Sequence, residues 1–84
     1  MYGISSVGAN EDPPGTIVAI AVDTQGVPYV VNDRGWIHYG SGTQWTRLPS
    51  PRLVKNLEIS PSGEMWMIER LTNKPFKLDG DTWI

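Results

Sequence analysis

Apolar and polar positions alternate in short bursts along this chain, and the bursts come round twice. The segments "IVAIAV" (17–22), "VPYVVN" (27–32), "WIHYG" (36–40) and "WTRL" (45–48) are rich in β-branched and aromatic residues. The segments "LVKNLEI" (53–59), "EMWMIE" (64–69), "KPFKL" (74–78) and "TWI" (82–84) follow with the same rhythm. Runs of this length and content predict β-strands. The residues between them predict tight turns: Gly26 and Gly63 supply positive φ, and Asp23, Asp33 and Pro61 favour turn entry. Proline at 14, 28, 49, 51, 61 and 75 leaves almost no window for a long helix, and no segment holds a period of 3.6 for three turns. Pro28 and Pro75 fall inside predicted strands and remove a ladder donor, but both lie near a strand start.

The two halves align. Gly26 and Gly63 stand 37 residues apart. At the same offset Ile20 meets Leu57, Val22 meets Ile59, Tyr29 meets Trp66, Val31 meets Ile68 and Tyr39 meets Phe76. His38 then meets Pro75, so it has no counterpart. Trp45 meets Trp83 only at an offset of 38, which predicts one extra residue in the last turn of the second repeat. Each repeat predicts a four-stranded antiparallel sheet. The fold class is therefore all-β, with two propeller-like blades at 16–49 and 50–84. Residues 1–15 are expected to form an N-terminal strand and linker that completes a blade edge, since uncovered edges invite pairing. The second repeat ends at "TWI", partway along the strand that matches "WTRLPS".

Two blades cannot hide their own faces. Repeat units bury apolar faces against neighbours, and at least three are normally needed. Propellers close with about four to eight blades. The expectation is a homo-oligomer that closes a ring, with a trimer of six blades favoured over a dimer of four. Composition points the same way. A chain of 84 residues buries a modest share of its surface. It has no cysteine for a disulfide or a thiolate metal site, and its one histidine, His38, makes a structural zinc improbable.

The charge of −2, with seven scattered basic residues, gives no electrostatic footprint for nucleic acid. No long apolar run predicts a membrane-spanning helix, and the first residues lack a basic-then-apolar signal pattern. Localisation stays open. No metal or cofactor is expected. "LDGDTW" (78–83) brings Asp79 and Asp81 together, but Asp-Gly is a strong turn signal. Gly40-Ser41-Gly42 has neither the following helix nor the lysine of a phosphate loop. His38 has no evident triad partners.

The stretch "IVAIAVDTQGVPYVVNDRGWIHYGSGTQWTRLP" resembles the tectonin-type β-propeller repeat. The resemblance rests on Ile20, Ala21, Val22, Gly26, Tyr29, Val30, Val31, Gly35, Tyr39, Trp45, Leu48 and Pro49. The second repeat keeps Leu57, Ile59, Gly63, Trp66, Ile68, Phe76 and Trp83, with "RLTNK" in place of a tight turn. The family usually carries more repeats per chain. The resemblance implies a lectin or other recognition module without enzymatic activity.

For a sugar ligand, "NDRGW" (32–36) offers an aromatic face and hydroxyl-binding groups in one turn: Asn32, Asp33, Arg34 and Trp36. The plainer account is a solvated hairpin turn whose tryptophan packs between blades. The matching turn of the second repeat has Glu69, Arg70, Thr72 and Asn73 but no aromatic, which argues against two equivalent sugar sites. Trp45, Trp66 and Trp83 are assigned to packing. Two functional classes follow: a carbohydrate-recognition module, and a structural subunit of a larger particle, such as a virion, that contacts other proteins through its blade faces.

Overall fold

The structure, a computed structural model, describes residues 15–84; the strand expected within 1–15 lies almost wholly outside them. Eight strands follow: β1 (Ile17–Val22), β2 (Pro28–Asn32), β3 (Ile37–Ser41), β4 (Gln44–Leu48), β5 (Val54–Ile59), β6 (Met65–Glu69), β7 (Pro75–Asp79) and β8 (Thr82–Trp83). They form two antiparallel sheets of four, ordered β1-β2-β3-β4 and β5-β6-β7-β8. No helix occurs among the described residues. Pro28 and Pro75 each open a strand, where a missing N–H costs least.

The repetition reaches into the backbone. β1 carries a register shift between Ile17 and Ala19, and β5 carries one between Val54 and Asn56. The first turn closes through Gly26 N–H to Asp23 O and Asp23 N–H to Val27 O. Its counterpart closes through Gly63 N–H to Ser60 O and Ser60 N–H to Glu64 O. Gly26 and Gly63 have φ of 84° and 93°, a region that residues with a Cβ rarely adopt.

The extra residue of the second repeat is not in the last turn. Both final hairpins have two-residue connections, Gly42-Thr43 between Ser41 and Gln44, and Gly80-Asp81 between Asp79 and Thr82. It is the middle turn that differs. Asn32 N–H donates to Trp36 O, four residues on, whereas Glu69 N–H donates to Lys74 O, five residues on. Asn73, at φ 60°, supplies the left-handed residue that Gly35 supplies in the first repeat. From there the offset is 38. Tyr39 therefore matches Lys77, not Phe76, and His38 matches Phe76, not Pro75. The cross-strand pairs agree: Tyr29 lies opposite Tyr39, and Trp66 lies opposite Lys77. The tilted ring pair of Tyr29 and Tyr39, 5.6 Å between centroids, becomes a cation over a ring, with Lys77 Nζ 6.0 Å from the Trp66 centroid.

Alternation of side chains gives each sheet two faces. In the first sheet one face carries Ala19, Ala21, Tyr29, Val31, Ile37 and Leu48. All six belong to the main core or pack against it. In the second sheet the face carrying Leu57, Ile59, Met65, Met67, Phe76, Leu78 and Trp83 does so. The two sheets are thus stacked face to face, with β5 against β1 and β2. The small side chains of Ala19 and Ala21 leave room for Leu57 and Ile59. Polar contacts lock the stack at one end: Val54 N–H donates to Gly35 O at 2.9 Å, and Arg70 Nη2 donates to Asp33 O at 2.6 Å.

Trp45 and Trp83 are buried, as packing requires, but Trp66 is 38 % exposed. It projects from the face of the second sheet that no other sheet covers among the described residues.

Candidate functional site

The turn at 32–36 splits its four candidate residues between two roles. Asn32 is fully buried. Its Oδ1 accepts from the backbone N–H of Arg34 at 3.0 Å and of Trp36 at 2.9 Å. Asp23 does the same one turn earlier, its Oδ1 accepting from Gln25 N–H at 2.8 Å and Val27 N–H at 2.9 Å. An Asn or Asp side chain that accepts from the backbone two and four residues on builds the turn. Asn32 therefore shapes the site, and Asp33, Arg34 and Trp36 are what the turn presents. Removing a buried acceptor strands the donors it served, at about 1–3 kcal/mol. Asn32→Ala is expected to lower unfolding free energy by about that much, read from the midpoint in urea.

Trp36 does not stand alone. The Arg47 guanidinium lies 4.2 Å from its ring centroid, and that of Arg34 lies 5.4 Å away. Arg47 comes from β4, where it pairs with His38 of β3. Beside this group is a cavity of about 100 Å³ lined by Gly35, Trp36, Arg47, Ser50, Arg52 and others. Its outer wall is the connection between the sheets, held in place by Ser50 Oγ, which donates to Arg52 O at 2.9 Å. Ligand pockets usually run to about 300–1,000 Å³, so this one has room for a single group of a larger ligand.

The neighbouring basic group is already engaged. Arg52 pairs with the buried carboxylate of Glu69 at 3.5 Å, and its guanidinium lies 4.2 Å from the Phe76 centroid. Thr72 Oγ1 also donates to Glu69 Oε1. Glu69 occupies in the second repeat the place of Asn32 in the first, so the matching turn is held by an ion pair between a buried carboxylate and a half-exposed arginine and presents no aromatic. Sequence reasoning missed Arg47, because its place over Trp36 depends on the β3–β4 register.

His38 lies on the face of the first sheet turned away from the main core, where it is buried beside the second cluster formed by Val30 and Trp45. Burial, and then the charge of Arg47, hold its imidazole below the usual range, so it is neutral at pH 7. Its Nδ1 has no hydrogen-bond partner among the described residues. Asp79 and Asp81 flank a hairpin turn, with Gly80 at φ 63°. No group of three or more metal-ligating side chains occurs among the described residues. No helix there is long and apolar enough to cross a membrane. Compared with known proteins, the chain matches no family model and no curated relative.

Proposed function

We propose that this protein is a non-enzymatic recognition module of the tectonin-like kind, binding carbohydrate at Trp36 and closing its blades into a ring with further copies of itself. The observation that carries the binding half is the pairing of Trp36 with Arg34 and Arg47 beside a small cavity. An indole face suits the apolar side of a pyranose ring, and guanidinium groups donate to ring hydroxyls or to a sugar acid. Asp33 adds an exposed acceptor on the same turn. A glycan array on the purified protein is expected to show saturable binding. Trp36→Ala should abolish it while the strand signature in circular dichroism is retained. Unchanged binding by that variant would remove the site.

A second reading has its own observation. Ile20 and Val22, neighbours on the side of β1 turned away from the main core, are 63 % and 55 % exposed. Exposed apolar side chains side by side on a sheet offer a contact surface to another protein. If no glycan binds and the protein is recovered within a large particle, the structural-subunit reading replaces the first.

A further inference from the structure

We infer that the ligand of the Trp36 site is a sugar acid, its carboxylate seated on the paired donors of Arg47 with Arg34 beside it. The inference rests on the carbohydrate reading above and names the class of sugar. The distribution of arginine, and where each guanidinium spends its donors, point to an acid.

All four arginines of the chain gather around the turn at 32–36 and its cavity, whereas none of the three lysines lines that cavity. Two of the arginines hold the fold. Arg70 donates to Asp33 O at 2.6 Å, and Arg52 pairs with Glu69 at 3.5 Å while lying over the Phe76 ring. The other two have no such duty. Arg34 and Arg47 are exposed and share the Trp36 ring, and among the described residues no carboxylate pairs with either. The acid of the same turn does not neutralise them: the Asp33 carboxylate lies against Gly15 and forms no ion pair among the described residues. A chain of net charge −2 thus keeps two unpaired cations at one ring. Like charges held this close repel, and an anion between them relieves the repulsion.

Arg47 is also held in place before any ligand arrives. Its guanidinium rests 4.2 Å from the Trp36 centroid, and the β3–β4 ladder fixes its backbone opposite His38. A guanidinium carries its N–H donors in a rigid fork that meets both oxygens of a carboxylate at once. A fork restrained in advance loses less side-chain freedom on binding. His38, buried and neutral at pH 7, brings no competing charge. The cavity of about 100 Å³ beside the pair has room for a carboxylate but not for a whole pyranose ring. A neutral sugar offers the two guanidiniums only uncharged acceptors, which make weaker bonds. A densely charged polyanion is repelled by the acidic remainder of the chain, whereas one carboxylate per sugar is tolerated.

A glycan array with neutral, carboxylated and sulfated members tests this, followed by calorimetric titration of the best binder and of the same glycan with its carboxylate reduced to a hydroxymethyl group. Saturable binding confined to carboxylated members is expected, and reduction should abolish it. Arg47→Lys keeps the charge and loses the fork, so affinity should fall at least about tenfold, with the urea midpoint unchanged. Arg34→Gln, at an exposed turn position, should weaken binding several-fold. Raising salt from about 50 to about 500 mM should weaken it as well. Neutral or reduced glycans that bind as well as the acids overturn this inference and leave the carbohydrate reading standing. Binding confined to sulfated members overturns the carboxylate assignment. Carboxylate-dependent binding that survives both arginine substitutions overturns the seat assigned to it. An array with no binding at all overturns the carbohydrate reading and this inference together.

Discussion

Met67→Asp leaves no measurable folded population at 25 °C, and Met67→Ala leaves a protein that unfolds several tenths of the way down the usual denaturant range. Met67 is fully buried at the centre of the stack, in one cluster with Val31, Ile37, Leu57 and Trp83. Truncating a buried methionine to alanine costs about 2–5 kcal/mol, through lost transfer energy and the cavity left behind. A domain of this size holds roughly 4–13 kcal/mol at about 0.05–0.15 kcal/mol per residue, so alanine alone consumes a large part of it. Aspartate adds the desolvation of a carboxylate inside an apolar cluster, which such a margin cannot absorb. Urea titration followed by circular dichroism and by tryptophan fluorescence measures both. A Met67→Ala midpoint equal to that of the unmodified protein would mean that the two sheets do not rely on each other.

The second large effect comes from a backbone position. Gly35 has φ 88°, and a Cβ placed on it would sit 3.0 Å from Leu53 Cβ and 3.1 Å from Val54 N. Gly26 has nearly the same φ, 84°, with nothing within 4 Å of such a Cβ. The left-handed conformation alone costs a residue with a Cβ about 1–2 kcal/mol. Gly26→Ala should show only that. Gly35→Ala should show it together with about 1–3 kcal/mol from crowding the junction, for a total of roughly 2–5 kcal/mol. At about 4–8 °C per kcal/mol for a domain this small, the melting temperatures of the two variants separate clearly. The difference matters because Gly35 O accepts the Val54 N–H that ties one sheet to the other. Equal losses in the two variants would mean that the junction yields freely at this point.

Much of this fold is legible in the residues. The strand at 17–22 is read to its ends, because Ile17–Val22 is bounded by Asp23 and a glycine turn and holds no competing signal. The repetition is legible too, since turns and strands recur together. The place of the extra residue is not. Tyr39 and Phe76 are both aromatic and align at 37, but a coincidence of type does not set register. Hydrogen bonds in the middle turn do: the closing bond spans four residues after Asn32 and five after Glu69. Asn73 holds the clue, because asparagine is one of the few residues besides glycine that accept φ near 60°. Within the candidate site, Asn32 has the same spacing to Trp36 that Asp23 has to Val27, a turn-building signal present in the sequence. Arg47 gives no such signal; eleven positions separate it from Trp36, and only strand pairing brings them together.

The irregularities in β1 and β5 have a bearing on how copies avoid the wrong kind of contact. Each is the first strand of its sheet and lies at an edge, where unpaired backbone groups can recruit another chain by strand addition. A kink near the start of each, at Ile17/Ala19 and Val54/Asn56, breaks the even spacing that an incoming strand would need. Strand addition along these two edges is thereby disfavoured, whatever the chain that approaches them.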